Sequence, residues 1–296
     1  MNILRGILLP TTTPFTDTEE LDLDALADNI RKWRAAGISG FVLLGSTGER
    51  VHLEESEYLR TLEAARKEIP SDGAFIAGVG QQSTRGTIAE IAKAAQCGAD
   101  AVLVLTPHYY RAAITQEALV SYYRAVADGA RVPVLLYSMP ALTGIKIEPE
   151  TIARLTEHPN IIGVKDSSND VAGFAATVKL CPPEFAVLTG NGTVLLDALR
   201  AGATGAILAV GCVVPRMCIE IFDAFNRGDE ERAGRLQAKL TPLAAAVTTR
   251  FGIGGLKAAL DMADYRGGTV RAPLRSPDEA ARAEIARLLA DAKAAG

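Results

Sequence analysis

The chain has 296 residues, 48% of them hydrophobic and 22% charged, with a formal net charge of -4. That length holds one large α/β domain or two smaller ones, and the acidic balance, with no long basic run, speaks against nucleic acid or an anionic membrane as partner. Four cysteines, Cys97, Cys181, Cys212 and Cys218, form no CxxC pair, so a reduced, cytoplasmic protein is expected.

The opening "MNILRGILLPTTTPF" has an apolar patch broken by Arg5 and Pro10. It is too short and wrongly flanked for a signal peptide or a membrane span, and 6–15 reads as a first strand. Leu23, Leu26, Ala27, Ile30 and Trp33 then follow the spacing of one helix face. "AAGISGFVLL" (35–44) ends that helix at a glycine suited to a left-handed cap and runs into an apolar strand. Tyr58, Leu62, Ala65 and Ile69 mark the next helix, "AFIAGVG" (74–80) the next strand, and Ile88, Ile91, Ala92 and Ala95 the helix after it. "QCGADAVLVL" (96–105) repeats the glycine-to-strand template. Further strands are expected at "VPVLLYS" (132–138), "IIGVKDS" (161–167), "FAVLTGNG" (185–192) and, by the same template, in "RAGATGAILA" (200–209). Such runs suit strands buried on both faces, as in parallel sheets. About eight of them, alternating with helix-sized segments, predict a TIM (β/α)8 barrel. An open doubly wound sheet would want an early GxGxxG, and none follows a strand. From about residue 215 only helices are expected, with Ala-rich stretches at 229–249 and 278–295. Residues 1–228 therefore read as the barrel, and 229–296 as a C-terminal helical extension packed on it.

In such a barrel the chemistry sits at the C-terminal ends of the strands. Those ends read "TTTPF", "GSTGE", "GVGQQS", "TPHYYR", "YSMPALTG", "KDSS", "GNG" and "AVG". They hold one lysine, Lys165, with several hydroxyls, three tyrosines, few carboxylates and a single histidine, His108. His52, His108 and His158 are scattered through the chain and form no ligand motif, so no metal and no cofactor is expected. The set suits an amine nucleophile assisted by hydroxyl proton carriers. A lysine ending an apolar strand either snorkels into solvent or loses solvation inside the barrel wall, where the neutral amine is favoured. A neutral amine condenses with a ketone to an iminium ion, an electron sink for breaking or making a C–C bond. Tyr137 on the preceding strand is either a core aromatic or an acid–base partner of that lysine. "GSTG" (45–48) suits phosphate and carboxylate equally, and "GNG" (190–192) is a turn or a patch of amides at the mouth.

"PFTDTEELDLDAL", "GSTGE", "TPHYY", "LLYSMPALTG", "GVKDSS" and "RFGIGGLKAAL…GGTVRAPL" resemble, in order and from about residue 5 to 275, the dihydrodipicolinate synthase/N-acetylneuraminate lyase family of Schiff-base pyruvate aldolases and lyases. The resemblance implies a TIM barrel with a C-terminal helical extension, assembled as a homotetramer of two dimers. It implies Lys165 as the Schiff-base lysine, Tyr137 as proton carrier, Ser46 as the hydroxyl linking it to a second tyrosine, and Tyr109 as that second tyrosine, supplied by a neighbouring subunit. Thr47 matches the pocket for the pyruvate carboxylate, and Gly190, Asn191 and Ile207 match pocket-lining positions.

The synthase branch carries an arginine in the loop after the strand 5 tyrosine, where this chain has Leu142; the nearest positive charge there is Lys146. Three stretches, "VLLYSMPA", "HPNIIGVKDSSNDV" and "TTRFGIGGLKAALDMADYRGGTVRAPL", look closer to the mitochondrial-type 4-hydroxy-2-oxoglutarate aldolase. In that branch a serine two residues after the lysine, here Ser167, meets the far end of the substrate. Asparagine is usual there where this chain has Thr47 and Leu142. The expected activity is cleavage of a 4-hydroxy-2-oxo acid, 4-hydroxy-2-oxoglutarate first, to pyruvate and an aldehyde. The alternative is condensation of pyruvate with aspartate semialdehyde. A catalytically silent paralogue and a phosphate-binding barrel isomerase are the readings from other classes.

Overall fold

The computed structural model describes residues 4–38 and 40–294. Residues 1–3 of the N-terminal patch, Ser39 of the first helix-to-strand template and the last two residues of the extension lie outside them. Eight parallel strands pair in chain order and close on themselves: β1 (Gly6–Pro10), β2 (Gly40–Leu43), β3 (Ala74–Val79), β4 (Ala101–Leu105), β5 (Val134–Ser138), β6 (Ile161–Asp166), β7 (Ala186–Thr189) and β8 (Gly205–Ile207), with β8 back against β1. The expected barrel is therefore present. Around it run α1 (Leu23–Ala35), α2 (Glu55–Glu68), α3 (Thr84–Gln96), α4 (Gln116–Gly129), α5 (Pro140–Thr143), α6 (Pro149–Leu155), α7 (Val171–Leu180), α8 (Leu195–Arg200) and α9 (Pro215–Asn226). The extension adds α10 (Glu230–Ala245), α11 (Gly252–Met262) and α12 (Glu279–Lys293). No described helix is long and apolar enough to cross a membrane.

The helix starts are capped by the short polar residues that suit the role: Asp22, Ser83, Thr115 and Asp170 accept from the amides of Ala25, Gly86, Ala118 and Gly173. The three template glycines do what a left-handed cap requires. Gly37, Gly98 and Gly202 have φ of 98°, 84° and 101°. In each case the next amide reaches back five residues, as in Ile38 N–H to Trp33 O at 3.1 Å.

Both faces of the strands are covered. Leu8, Val42, Ile76, Leu103, Leu135, Leu188 and Ile207 fill the barrel interior, and a larger apolar layer lies between strands and helices. Four local expectations change. "TTTPF" is loop, since β1 ends at Pro10. Strand β6 stops at Asp166, one residue short of the expected 161–167 run. On α3 the buried line is Thr87, Glu90, Ile91 and Ala94, with Ile88 only half-buried. Glu90 displaces an apolar residue there because its carboxylate accepts from Gly80 N–H at 2.9 Å and pairs with Arg50. Beyond 215, the loop between α11 and α12 is tied to the mouth by an antiparallel bridge, Phe15 to Thr269.

Candidate active site

The lysine is placed by register. A one-residue irregularity where β5 meets β6 lets Val134 pair with Ile161 but Leu135 with Gly163, so that Tyr137 and Lys165 become neighbours. Adjacent partners in a parallel sheet share a face, and Tyr137 belongs to the barrel-interior cluster. Lys165 accordingly points inward, 4% exposed, with Nζ 4.5 Å from the centre of the Tyr137 ring. It has no carboxylate partner among the described residues. The snorkelling alternative is set aside by this burial, and Tyr137 is both a core aromatic and the lysine's neighbour.

Ser46 opens a single turn, Ser46–Gly48, after β2, and its Oγ lies 3.4 Å from the Tyr137 hydroxyl oxygen. That is long for an O–H···O bond, as such contacts often are before substrate closes the site. Thr47, buried, stands next on the same turn. The turn closes by Gly48 N–H to Gly45 O (3.0 Å) and Glu49 N–H to Ser46 O (3.2 Å).

Gly190 touches the lysine from the β7 side. A Cβ added there would lie 2.0 Å from Ser167 Oγ and 2.7 Å from Lys165 Cε, so Gly190, Ser167 and Lys165 crowd one spot. Ile207 is buried in the same interior cluster as Tyr137. Asn191 differs from expectation. Its Oδ1 accepts from Thr193 N–H (2.9 Å) and Oγ1 (2.8 Å), and its Nδ2 donates to Asn169, so it braces a turn. Two of the three "GNG" amides are occupied as well: Gly190 N–H by Asp166 O at 2.6 Å and Asn191 N–H by Thr189 Oγ1 at 3.2 Å. Those two amides are not free for a phosphate.

Leu142, on α5, is 63% exposed and lines a cavity of about 330 Å³ together with Ser46, Tyr137, His52 and His108. Two of the histidines thus line one cavity although they are far apart in sequence. Lys146 does not reach this cavity. It is paired with Asp170 (2.9 Å) and Glu148 (3.3 Å), and the Asp170 bond raises its pKa above the usual lysine value. Tyr109 is 75% exposed, edge-on to Tyr110 at 5.1 Å between ring centres, and is not among the residues lining its own chain's cavity. Asp166, behind the lysine, has its pKa raised by burial, an effect opposed by the bond it accepts from Ser168 N–H at 2.7 Å.

Sequence reasoning passed over a second buried lysine. Lys257, in "GGLKAAL", is 1% exposed and pairs with Glu49 of "GSTGE" at 2.6 Å. Burial lowers its pKa, and Glu49 opposes that shift. The signal was available, since Lys257 interrupts an apolar run as Lys165 does. Arg271 completes this side of the mouth, donating to Glu57 and to the carbonyls of Glu19 and His52.

The model of the dihydrodipicolinate synthetase family matches residues 3–292. A protein of Halobacterium salinarum, named an uncharacterized DapA-like lyase, is 38% identical over 97% of this chain and 94% of its own length. The 4-hydroxy-tetrahydrodipicolinate synthase 1 of Streptomyces coelicolor is 37% identical over 92% of this chain and 88% of its own. Among solved structures, the Escherichia coli prophage protein YagE in complex with pyruvate superposes with a TM-score of 0.91 at 30% identity, covering 98% of each chain.

Proposed function

The chain belongs to the dihydrodipicolinate synthetase family and is a lyase of the aldolase type; we propose that it works on pyruvate through a Schiff base at Lys165. The observation that carries this reading is Lys165 Nζ over the Tyr137 ring at 4.5 Å, with Ser46 Oγ 3.4 Å from the Tyr137 oxygen. In that arrangement the Lys165 amine attacks the ketone carbon of pyruvate, and loss of water gives an iminium. Removal of a C3 proton then leaves an enamine, which attacks an aldehyde carbon, and the new alkoxide takes a proton from Tyr137. Ser46 relays protons to and from that phenol. Thr47 and the turn beside it take the carboxylate, Gly190 leaves room for the iminium, and Ser167 faces the substrate beside the lysine.

For the second substrate, the relatives' names support condensation of pyruvate with aspartate semialdehyde over the 4-hydroxy-2-oxoglutarate cleavage expected from the sequence. The cleaving reading keeps one support: Leu142 offers no charge to a semialdehyde carboxylate and Lys146 is engaged elsewhere, while the distal carboxylate of 4-hydroxy-2-oxoglutarate has Ser167, beside Lys165, to meet it.

Tyr109 fits the expectation that a neighbouring subunit supplies it. It stands exposed in its own chain, while the cavity beside Ser46 and Tyr137 has room for a phenol and is rimmed by the exposed Val51, Leu142 and Leu274. A dimer follows from this reading, the homotetramer of two dimers rests on the family resemblance, and the four free cysteines fit a reducing, cytoplasmic setting.

Incubation with pyruvate and borohydride is expected to add reduced pyruvate at Lys165 alone. Lys165→Ala and Lys165→Arg are both expected to be inactive, because a guanidinium stays protonated and cannot attack a ketone. Labelling at another lysine, or full activity in either variant, refutes the mechanism. Rates with aspartate semialdehyde and with 4-hydroxy-2-oxoglutarate, measured side by side, decide the substrate.

A further inference from the structure

The turn that carries Ser46 and Thr47 is bounded by left-handed backbone without glycine, Leu44 at φ 58° and Glu49 at φ 53°. Such residues are strained and persist only where their surroundings hold them. Thr13 holds the turn from the barrel side, donating from Oγ1 to Gly48 O at 2.7 Å. The other hold is the Glu49 side chain. Its Oε1 meets Lys257 Nζ of α11 at 2.6 Å, both side chains 1% exposed. Lys257 also donates to Thr269 O at 2.5 Å and stands 4.3 Å from the centre of the Phe15 ring. Glu49 Oε2 accepts the Arg271 N–H at 3.2 Å and lies 3.2 Å from His52 Nδ1. A buried ion pair is seldom the most stable filling for a core, since apolar side chains of like volume do as well or better. What it supplies here is direction: a carboxylate gripped from three sides has one position, and the turn ends on it.

We propose that Glu49 and Lys257 are the positioning pair of the proton relay, pinning the Ser46–Gly48 turn so that Ser46 stays within reach of the Tyr137 hydroxyl and making that turn depend on the C-terminal segment 257–271. This rests on the reading of Ser46 and Tyr137 as the relay. Both residues act through Ser46 and contribute no proton of their own to the substrate.

The test compares Glu49→Gln, Lys257→Met and the double variant in the full chain. Each single change leaves a buried charge without its partner and is expected to lower the melting temperature. The double variant buries no charge at this place, so its melting recovers toward that of the parent. Turnover is expected not to recover: kcat stays roughly 10- to 100-fold down, as for a misplaced catalytic group. Borohydride trapping at Lys165 continues, and the solvent deuterium isotope effect on kcat grows because proton transfer has become limiting. Recovery of kcat in step with melting overturns the proposal. A crystal structure of the double variant reads the same claim without turnover. Measured against the parent solved in the same way, a longer Ser46 Oγ to Tyr137 oxygen distance supports it, and an unchanged distance overturns it. An unlabelled parent would instead refute the Schiff-base reading, and the measured distance still judges the pin. Should the double variant not fold, Glu49→Asp keeps the charge on a shorter arm. A lowered kcat at parental melting then supports the proposal, and an unchanged kcat overturns it.

Discussion

Two lysines are buried among the described residues, and their surroundings assign them different work. Lys257 is locked to Glu49 at 2.6 Å. Lys165 has an aromatic face and a glycine for neighbours, which leaves its amine available to a ligand. Tyr137→Phe keeps the ring beside Lys165 and removes only the hydroxyl, so the rate is expected to fall roughly 10²–10⁴-fold with melting unchanged. A parental rate would show that protons travel by another path. Leu142 bears on the second substrate. A guanidinium at that place grips a carboxylate with two parallel bonds, and a charge-assisted contact of this kind is worth about 1.5–3 kcal/mol. Leu142→Arg is therefore expected to raise kcat/KM for aspartate semialdehyde by roughly one to two powers of ten. No gain, with the protein still folded, would mean that the semialdehyde carboxylate is already held by another group.

Among the elements, the helices after β2 and β3 do more than cover the sheet. Glu90 of α3 pairs with Arg50 just beyond the Ser46 turn, and the Arg50 guanidinium lies 4.4 Å from the centre of the Tyr58 ring of α2. Glu57 of α2 pairs with Arg271, which joins that helix to the segment before α12. The hydrogen bond from Arg271 holds the Glu57 carboxyl below its usual value of 4.5. A depressed folded-state pKa contributes stability that is present above the unfolded value and lost as pH falls through the folded one. Glu57→Gln is expected to melt below the parent at neutral pH, with the gap closing as pH drops below 4.5. Thermal melts of both proteins across that range check this, and a gap that persists in acid would mean that the pair is held by packing instead of charge.

On the scale of the whole molecule, the proposal that a neighbouring subunit supplies Tyr109 makes the site half of a shared one. Tyr109 and Tyr110 stand out from the barrel mouth at 75% and 73% exposure, beside a cavity bordered by exposed apolar residues. Tyr109→Phe is expected to lower turnover in the same sense as Tyr137→Phe. A charge placed at Val51, on the exposed rim, is expected to give a folded chain of lower mass in solution with activity reduced alongside. Sedimentation and rate measured on the same sample check both, and a fully active monomer would refute the shared site.

Ser46 was marked only by the family resemblance; the barrel, the strand order and the strand-end candidates Lys165 and Tyr137 were legible in the sequence by itself. These are written in short-range terms: apolar runs, left-handed glycines after helices, and polar residues at strand ends. The tertiary structure alone decided what depends on closure and register. The irregularity at the β5–β6 pairing sets Lys165 beside Tyr137, and no local pattern in "IIGVKDS" reveals where the neighbouring strand will pair. Asn191 was legible as a residue of the mouth, but only the fold shows its side chain bracing Thr193 and Asn169. The Glu49–Lys257 pair joins residues 208 positions apart, brought together only when α11 packs against the barrel mouth. A buried charge is legible in sequence as a lysine among apolar residues, but its partner, and so its role, is fixed by the chain's folding back on itself.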